Sequence, residues 1–143
     1  MKVLVTGGGG FLGGAVVRRL QARGDEVISF TRSAYPWLRE IGVEEARGDL
    51  SDLGTLEVAM RGCDAVVHVA AKAGVWGRKA DYHSTNVVGT KNVIEACKSV
   101  GVKRLVYTST PSVVHTGRDI LGVDESLPYS THYDAWYPAT KAE

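Results

Sequence analysis

The run Lys2–Thr6 (KVLVT) passes directly into Gly7-Gly8-Gly9-Gly10-Phe11-Leu12-Gly13, and apolar residues then recur at helical spacing. No other feature restricts the fold so strongly. An apolar run stopped by glycines reads as a buried strand. Phe11, Leu12, Ala15, Val16 and Leu20 form one face of the helix that follows, with Arg18, Arg19 and Arg23 opposite and Gly24 closing it. Gly8, Gly10 and Gly13 fit GxGxxG, while Gly7, Gly10 and Gly13 fit GxxGxxG. Such spacing permits a tight turn, a close backbone approach to a pyrophosphate, and close packing of helix on strand. The helix N-terminus adds free N–H groups and the positive end of its dipole. A P-loop is excluded, because no Gly-Lys-Ser/Thr follows.

Strands and helices alternate along the rest of the chain. Glu26–Thr31 reads as a second strand and Glu44–Arg47 as a short third. Ser51 or Asp52 can cap a helix running to about Arg61, with Gly62 beyond it. Asp64–Ala71 is an apolar fourth strand, a long helix spans about Asp81 to Val100 before Gly101, and Arg104–Ser109 makes a fifth strand. Right-handed βαβ crossovers then imply an α/β fold, a Rossmann-type doubly wound parallel sheet covered on both faces. That sheet ordinarily has six strands, and the chain stops at Ala142-Glu143 where another helix begins. The expectation is one domain over residues 1–143, truncated before a C-terminal substrate-binding part.

Composition narrows the function. Seventeen Lys+Arg against sixteen Asp+Glu give a net charge of +1, which disfavours a nucleic-acid-binding face. No apolar run approaches the ~20 residues of a membrane span, and Val3–Val5 is too short for a signal-peptide core. A soluble cytoplasmic protein is expected. Cys63, Cys97 and the four histidines (His68, His83, His115, His132) show no metal-ligand spacing, so no metal is expected. His68, in an apolar strand, reads as a hydrogen-bonded core histidine.

Dinucleotide-binding folds that take NAD place an acidic residue about 20 positions beyond the glycines, at the end of the second strand. Here Thr31-Arg32 occupies that place, and Asp25 and Glu26 lie at the strand's other end. An arginine suits a 2′-phosphate. NADP is therefore expected, with NAD possible. Of the six tyrosines only Tyr137 has a lysine four residues on, Lys141, which sets both on one helix face. A cation beside a tyrosine favours its phenolate, as proton transfer at neutral pH requires. Pro138 is tolerated in the first turn, where its missing N–H has no partner.

Together with Thr6-Gly7-x-x-Gly10-x-x-Gly13, Gly48-Asp49-Leu50, His68-Val69-Ala70-Ala71, Asn86-Val87-Val88-Gly89-Thr90 and Tyr107-Thr108-Ser109-Thr110, the segment Tyr137-Pro138-Ala139-Thr140-Lys141 resembles the extended short-chain dehydrogenase/reductases over the whole chain. Within them it resembles the 3β-hydroxysteroid dehydrogenase branch. Ala70 through Gly77 and Pro111-Ser112-Val113-Val114 are similar to bacterial 2-alkyl-3-oxoalkanoate reductases of olefin biosynthesis. The resemblance implies that Gly7, Gly10, Phe11, Leu12 and Gly13 hold the phosphates and that Asp49 and Leu50 flank the adenine. It implies that Ala70, Ala71 and Lys72 line the cofactor and that Asn86 supports the active-site helix. Thr110 falls at the catalytic Ser/Thr position, with Tyr137 and Lys141 as the YxxxK pair, the lysine also bonding the nicotinamide ribose.

The implied function is reduction of a ketone to a secondary alcohol on a small-molecule substrate, in a full-length homodimer. Two alternatives stand beside it: an NAD-dependent sugar-nucleotide epimerase, and a non-catalytic dinucleotide-sensing regulator. Dehydration is disfavoured, since Thr110-Pro111-Ser112 stands where dehydratases carry Thr-Asp-Glu. Retention of Tyr137 and Lys141 argues for catalysis over sensing. Val75 and Trp76 are candidate substrate contacts.

Overall fold

The computed structural model describes residues 1–143 apart from Thr116 and Arg118. Strands Lys2–Thr6 (β1), Glu26–Thr31 (β2), Glu44–Arg47 (β3), Ala65–His68 (β4) and Leu105–Tyr107 (β5) pair in parallel in the order β3-β2-β1-β4-β5. The order reverses between β1 and β4, and in such sheets ligands bind outside the carboxyl ends of the strands at that reversal. The glycine loop leaves β1 there.

Alternation along the strands divides the core. Leu4, Ile28, Phe30 and Val66 point to one face, where they pack on Leu56 and Met60 of α3 (Leu53–Met60) and Val93, Ala96 and Cys97 of α5 (Gly89–Val100). Val3, Val5, Val27 and Ala65 point to the other, against Val17 of α1 (Phe11–Ala22) and Leu38 of α2 (Pro36–Glu40). β1 is buried on both faces, as expected of a central parallel strand. Asp52 caps α3 by accepting from the Thr55 N–H, and Gly101 ends α5 in the left-handed region. No helix among the described residues is long and apolar enough to cross a membrane.

Three elements differ from their sequence reading. β4 ends at His68 rather than Ala71, because the Thr6 hydroxyl accepts from the N–H groups of Val69 and Ala70 at 3.1 Å each and draws the backbone out of the ladder. The long helix before Gly101 begins at Lys79 as α4 (Lys79–Tyr82) and passes through a π-helical stretch, His83–Val88, before α5. β5 is trimmed to Leu105–Tyr107. Pro36–Glu40 and a 3₁₀ turn at Pro111–Val113 are additions, each too short for a periodic pattern. The last helix, α6, spans Trp136–Ala142 and keeps Pro138 in its first turn.

Candidate active site

The loop after β1 is built from its own backbone. Gly7 N–H donates to Phe30 O at 2.9 Å, and Gly10 N–H donates to Gly7 O at 3.0 Å. Gly7 lies at φ +71°, and a Cβ there would stand 3.0 Å from Ala70 Cα, so the loop and the segment after β4 touch main chain to main chain. A Cβ on Gly13 would overlap Gly7 O. The N-terminus of α1 has no side-chain cap and no acidic residue in its first turn, so its N–H groups are left for an anionic ligand.

This loop forms one wall of a cavity of about 510 Å³, a size typical of small-molecule sites. Gly7, Gly10, Phe11, Leu12, Gly13, Arg32, Asp49, Leu50, Ala70, Ala71, Tyr137 and Lys141 line it, so most of the sequence-predicted residues meet in one place. Arg32 is exposed at the end of β2. Asp49 is held below its ordinary pKa, chiefly by the N–H and hydroxyl of Ser51, with the Arg32 charge adding to the effect. The bare glycine cradle, the uncapped helix end and a cation at the far side together fit a phosphate-bearing dinucleotide.

Five predicted residues do not line the cavity. Lys72 and Asn86 stand behind its wall: Asn86 Oδ1 accepts from Lys72 N–H at 2.8 Å, while Nδ2 donates to Lys72 O and to Thr140 Oγ1 at 3.0 Å each. Asn86 is 2 % exposed, so its amide clasps the loop after β4 to α6 rather than meeting a ligand. Thr110 caps the 3₁₀ turn, its Oγ1 bonded to Ser112, and opens on a neighbouring cavity of about 440 Å³ with Asp124, Glu125 and Tyr129. Val75 and Trp76 are exposed outside both.

Tyr137 and Lys141 project from successive turns of α6, as their spacing predicts. Lys141 is 6 % exposed. Its Nζ donates to Thr108 O at 2.6 Å, and burial lowers its pKa to about 8. It therefore stays largely charged at neutral pH, able to stabilise a phenolate. His68 is fully buried as expected, with Nδ1 2.7 Å from Thr6 Oγ1 and Nε2 3.0 Å from Thr90 Oγ1. Burial, reinforced by the Lys141 charge, lowers its pKa to about 4.

Sequence reasoning missed Ser33, Tyr35, Thr85 and Thr108, which also line the cavity. Tyr35 lies in an irregular segment, where it packs against Gly9 and its N–H donates to Glu45. Thr85 sits in the π-helical stretch, whose altered periodicity no heptad-like pattern reveals. Thr108 is legible in the sequence only as part of the fifth strand and of the Tyr107–Thr110 motif, with nothing to mark it as a cavity residue.

Comparison with known proteins agrees with this geometry. A 2-alkyl-3-oxoalkanoate reductase of Stenotrophomonas maltophilia is 54% identical over 145 residues, covering 99% of this chain and 44% of that protein. A short-chain dehydrogenase/reductase superfamily protein of Agrobacterium tumefaciens, solved with bound NAD, superposes with a TM-score of 0.84 at 32% identity, over 99% of this chain and 42% of its own. A UDP-glucose-4-epimerase of Stenotrophomonas maltophila, also solved with NAD, gives 0.89 at 27% identity, over 99% and 45%. The chain thus spans less than half the length of these relatives. A family model, that of the 3-beta hydroxysteroid dehydrogenase/isomerase family, matches residues 4–143. The match takes in the glycine loop, the cavity wall and the Tyr137–Lys141 helix together, and the chain belongs to the 3-beta hydroxysteroid dehydrogenase/isomerase family.

Proposed function

We propose that the chain carries the cofactor-binding and proton-transfer residues of an NADP-dependent oxidoreductase that reduces a ketone to a secondary alcohol. The observation that carries this reading is that Tyr137 and Lys141 line the same cavity as the glycine loop and Arg32. The bare backbone of Gly7, Gly10 and Gly13 would hold the pyrophosphate, Asp49 and Leu50 would flank the adenine, and Arg32 would meet a 2′-phosphate. A bound nicotinamide supplies the hydride. The Tyr137 hydroxyl gives its proton to the carbonyl oxygen, and the buried Lys141 ammonium stabilises the phenolate left behind. Thr110 would donate to the same oxygen as charge grows on it, giving up its bond to Ser112 Oγ to do so.

For the substrate class we infer a 2-alkyl-3-oxoalkanoate or a steroid-like β-hydroxy or keto compound, supported by the relative at 54% identity. The second reading, a sugar-nucleotide epimerase, draws on the likeness to the solved epimerase at a TM-score of 0.89. It calls for NAD, and Arg32 counts against it. The test is titration of NADPH and NADH into this chain and into Arg32→Asp. NADPH should bind more tightly to the wild type, and the substitution should abolish or reverse the preference. An unchanged preference in Arg32→Asp would overturn the role given to Arg32, and tighter binding of NADH than of NADPH by the wild type would favour the epimerase reading.

A further inference from the structure

Tyr107 ends β5 with its ring half-buried and in contact with side chains far away in sequence. The Lys141 ammonium stands 3.9 Å from the ring centroid. The His68 imidazole lies 5.7 Å away, tilted by 30°. The next residue, Thr108, offers its carbonyl to the same ammonium at 2.6 Å. One strand end thus presents to Lys141 both an aromatic face, which carries negative charge density, and a carbonyl oxygen.

His68 is held in place in turn. Thr90 Oγ1 donates to Asn86 O at 2.6 Å, so it must accept from His68 Nε2–H. Nδ1 then accepts from the Thr6 hydroxyl, whose oxygen takes the N–H groups of Val69 and Ala70. This fixes one tautomer from the bonding pattern. The imidazole beside Tyr107 is therefore tied to the last residue before the glycine loop.

We propose that Tyr107 is a positioning residue, whose ring together with the Thr108 carbonyl holds the Lys141 ammonium against the cavity before a ligand arrives. The proposal rests on the reading of Lys141 as a cofactor-binding and proton-transfer residue. An ammonium has three N–H donors. One goes to Thr108, and the ring face holds the ammonium by its negative charge density while accepting more weakly than a carbonyl, which leaves the others for a ligand. The ring rather than the phenolic hydroxyl makes this contact, so phenylalanine should serve and an aliphatic residue should not.

The test joins two measurements on the unmodified chain, on Tyr107→Phe and on Tyr107→Leu. In lysine-labelled protein without ligand, the Lys141 Hε resonances, assigned with Lys141→Arg, should be displaced upfield by the ring current in wild type and Tyr107→Phe. They should return to the position of an exposed lysine in Tyr107→Leu. NADPH affinity should fall about threefold to tenfold in Tyr107→Leu, the range of a partly desolvated cation–π contact, and stay within about twofold in Tyr107→Phe. Undisplaced resonances in the wild type would overturn the proposal without any variant having to fold. So would a Tyr107→Phe that behaves like Tyr107→Leu, or a Tyr107→Leu that binds NADPH as tightly as wild type or more tightly, since the ring would then be competing with the ligand. A wild type with displaced Lys141 resonances that binds neither dinucleotide would overturn the reading of the cavity, and the positioning role with it.

Discussion

Replacing Gly13 with alanine puts a methyl group where the chain has only backbone. The new Cβ would overlap Gly7 O and stand 2.7 Å from Gly7 C and 3.0 Å from Gly8 Cα. No side chain can turn aside to relieve this, because Gly7 is itself fixed by bonds to Phe30 O and from Gly10 N–H. Against fixed backbone the upper part of the overpacking range applies, about 2–3 kcal/mol, and alanine regains about 1 kcal/mol over glycine inside a helix. The net loss should be roughly 1–2 kcal/mol, which lowers the urea midpoint by about 0.5–1 M for a domain of this size. Gly10→Ala supplies the contrast. Its Cβ meets only Gly7 O, at 3.4 Å, and its backbone (φ −82°, ψ −179°) suits any residue. Stability should change by less than ~1 kcal/mol. NADPH affinity should nevertheless drop about tenfold or more, because the methyl group occupies the approach to the pyrophosphate. Urea unfolding and NADPH titration of both variants separate the two roles. An unshifted midpoint for Gly13→Ala, or normal affinity in folded Gly10→Ala, would refute the reasoning.

Three further outcomes are expected. Among the described residues Ser29 Oγ is a buried side-chain oxygen with no hydrogen-bond partner, so Ser29→Ala should raise stability by about 0.5–1 kcal/mol in urea unfolding. His68, with a pKa near 4 folded against 6.5 ordinarily, binds its proton first in the unfolded chain. The His68 contribution to stability should therefore be flat above about pH 6.5 and fall toward pH 4 by up to ~3 kcal/mol, and the His68 ring resonances should not titrate between about pH 5.5 and 8. Tyr137→Phe should cut ketone reduction about 10²–10⁴-fold in steady-state assays while leaving NADPH affinity nearly unchanged.

The parts legible in the sequence were those with strong local signals. β1 and the glycine loop, a helix cap at Ser51 or Asp52 that the structure assigns to Asp52, the Gly101 stop and the Tyr137–Lys141 spacing each follow from backbone geometry or helical period. What escaped depends on partners distant in the chain. Thr6, sixty-two residues from His68, decides where β4 ends. Thr110 fits its motif, yet the 3₁₀ turn that it caps opens on the neighbouring cavity. Tyr35 and Thr108 reach the cavity through loop and strand-end geometry that no periodic pattern encodes.

The central claim is that this cavity takes a nicotinamide dinucleotide along the glycine loop. Backbone amide shifts of the chain, followed while NADPH is added, test it most directly. Saturable changes at Gly7 through Gly13, Arg32, Asp49, Leu50, Ala70 and Ala71, with little change from Val123 to Tyr129, are what the account predicts. No saturable change in the glycine loop, or changes centred instead on the cavity beside Thr110, would contradict it.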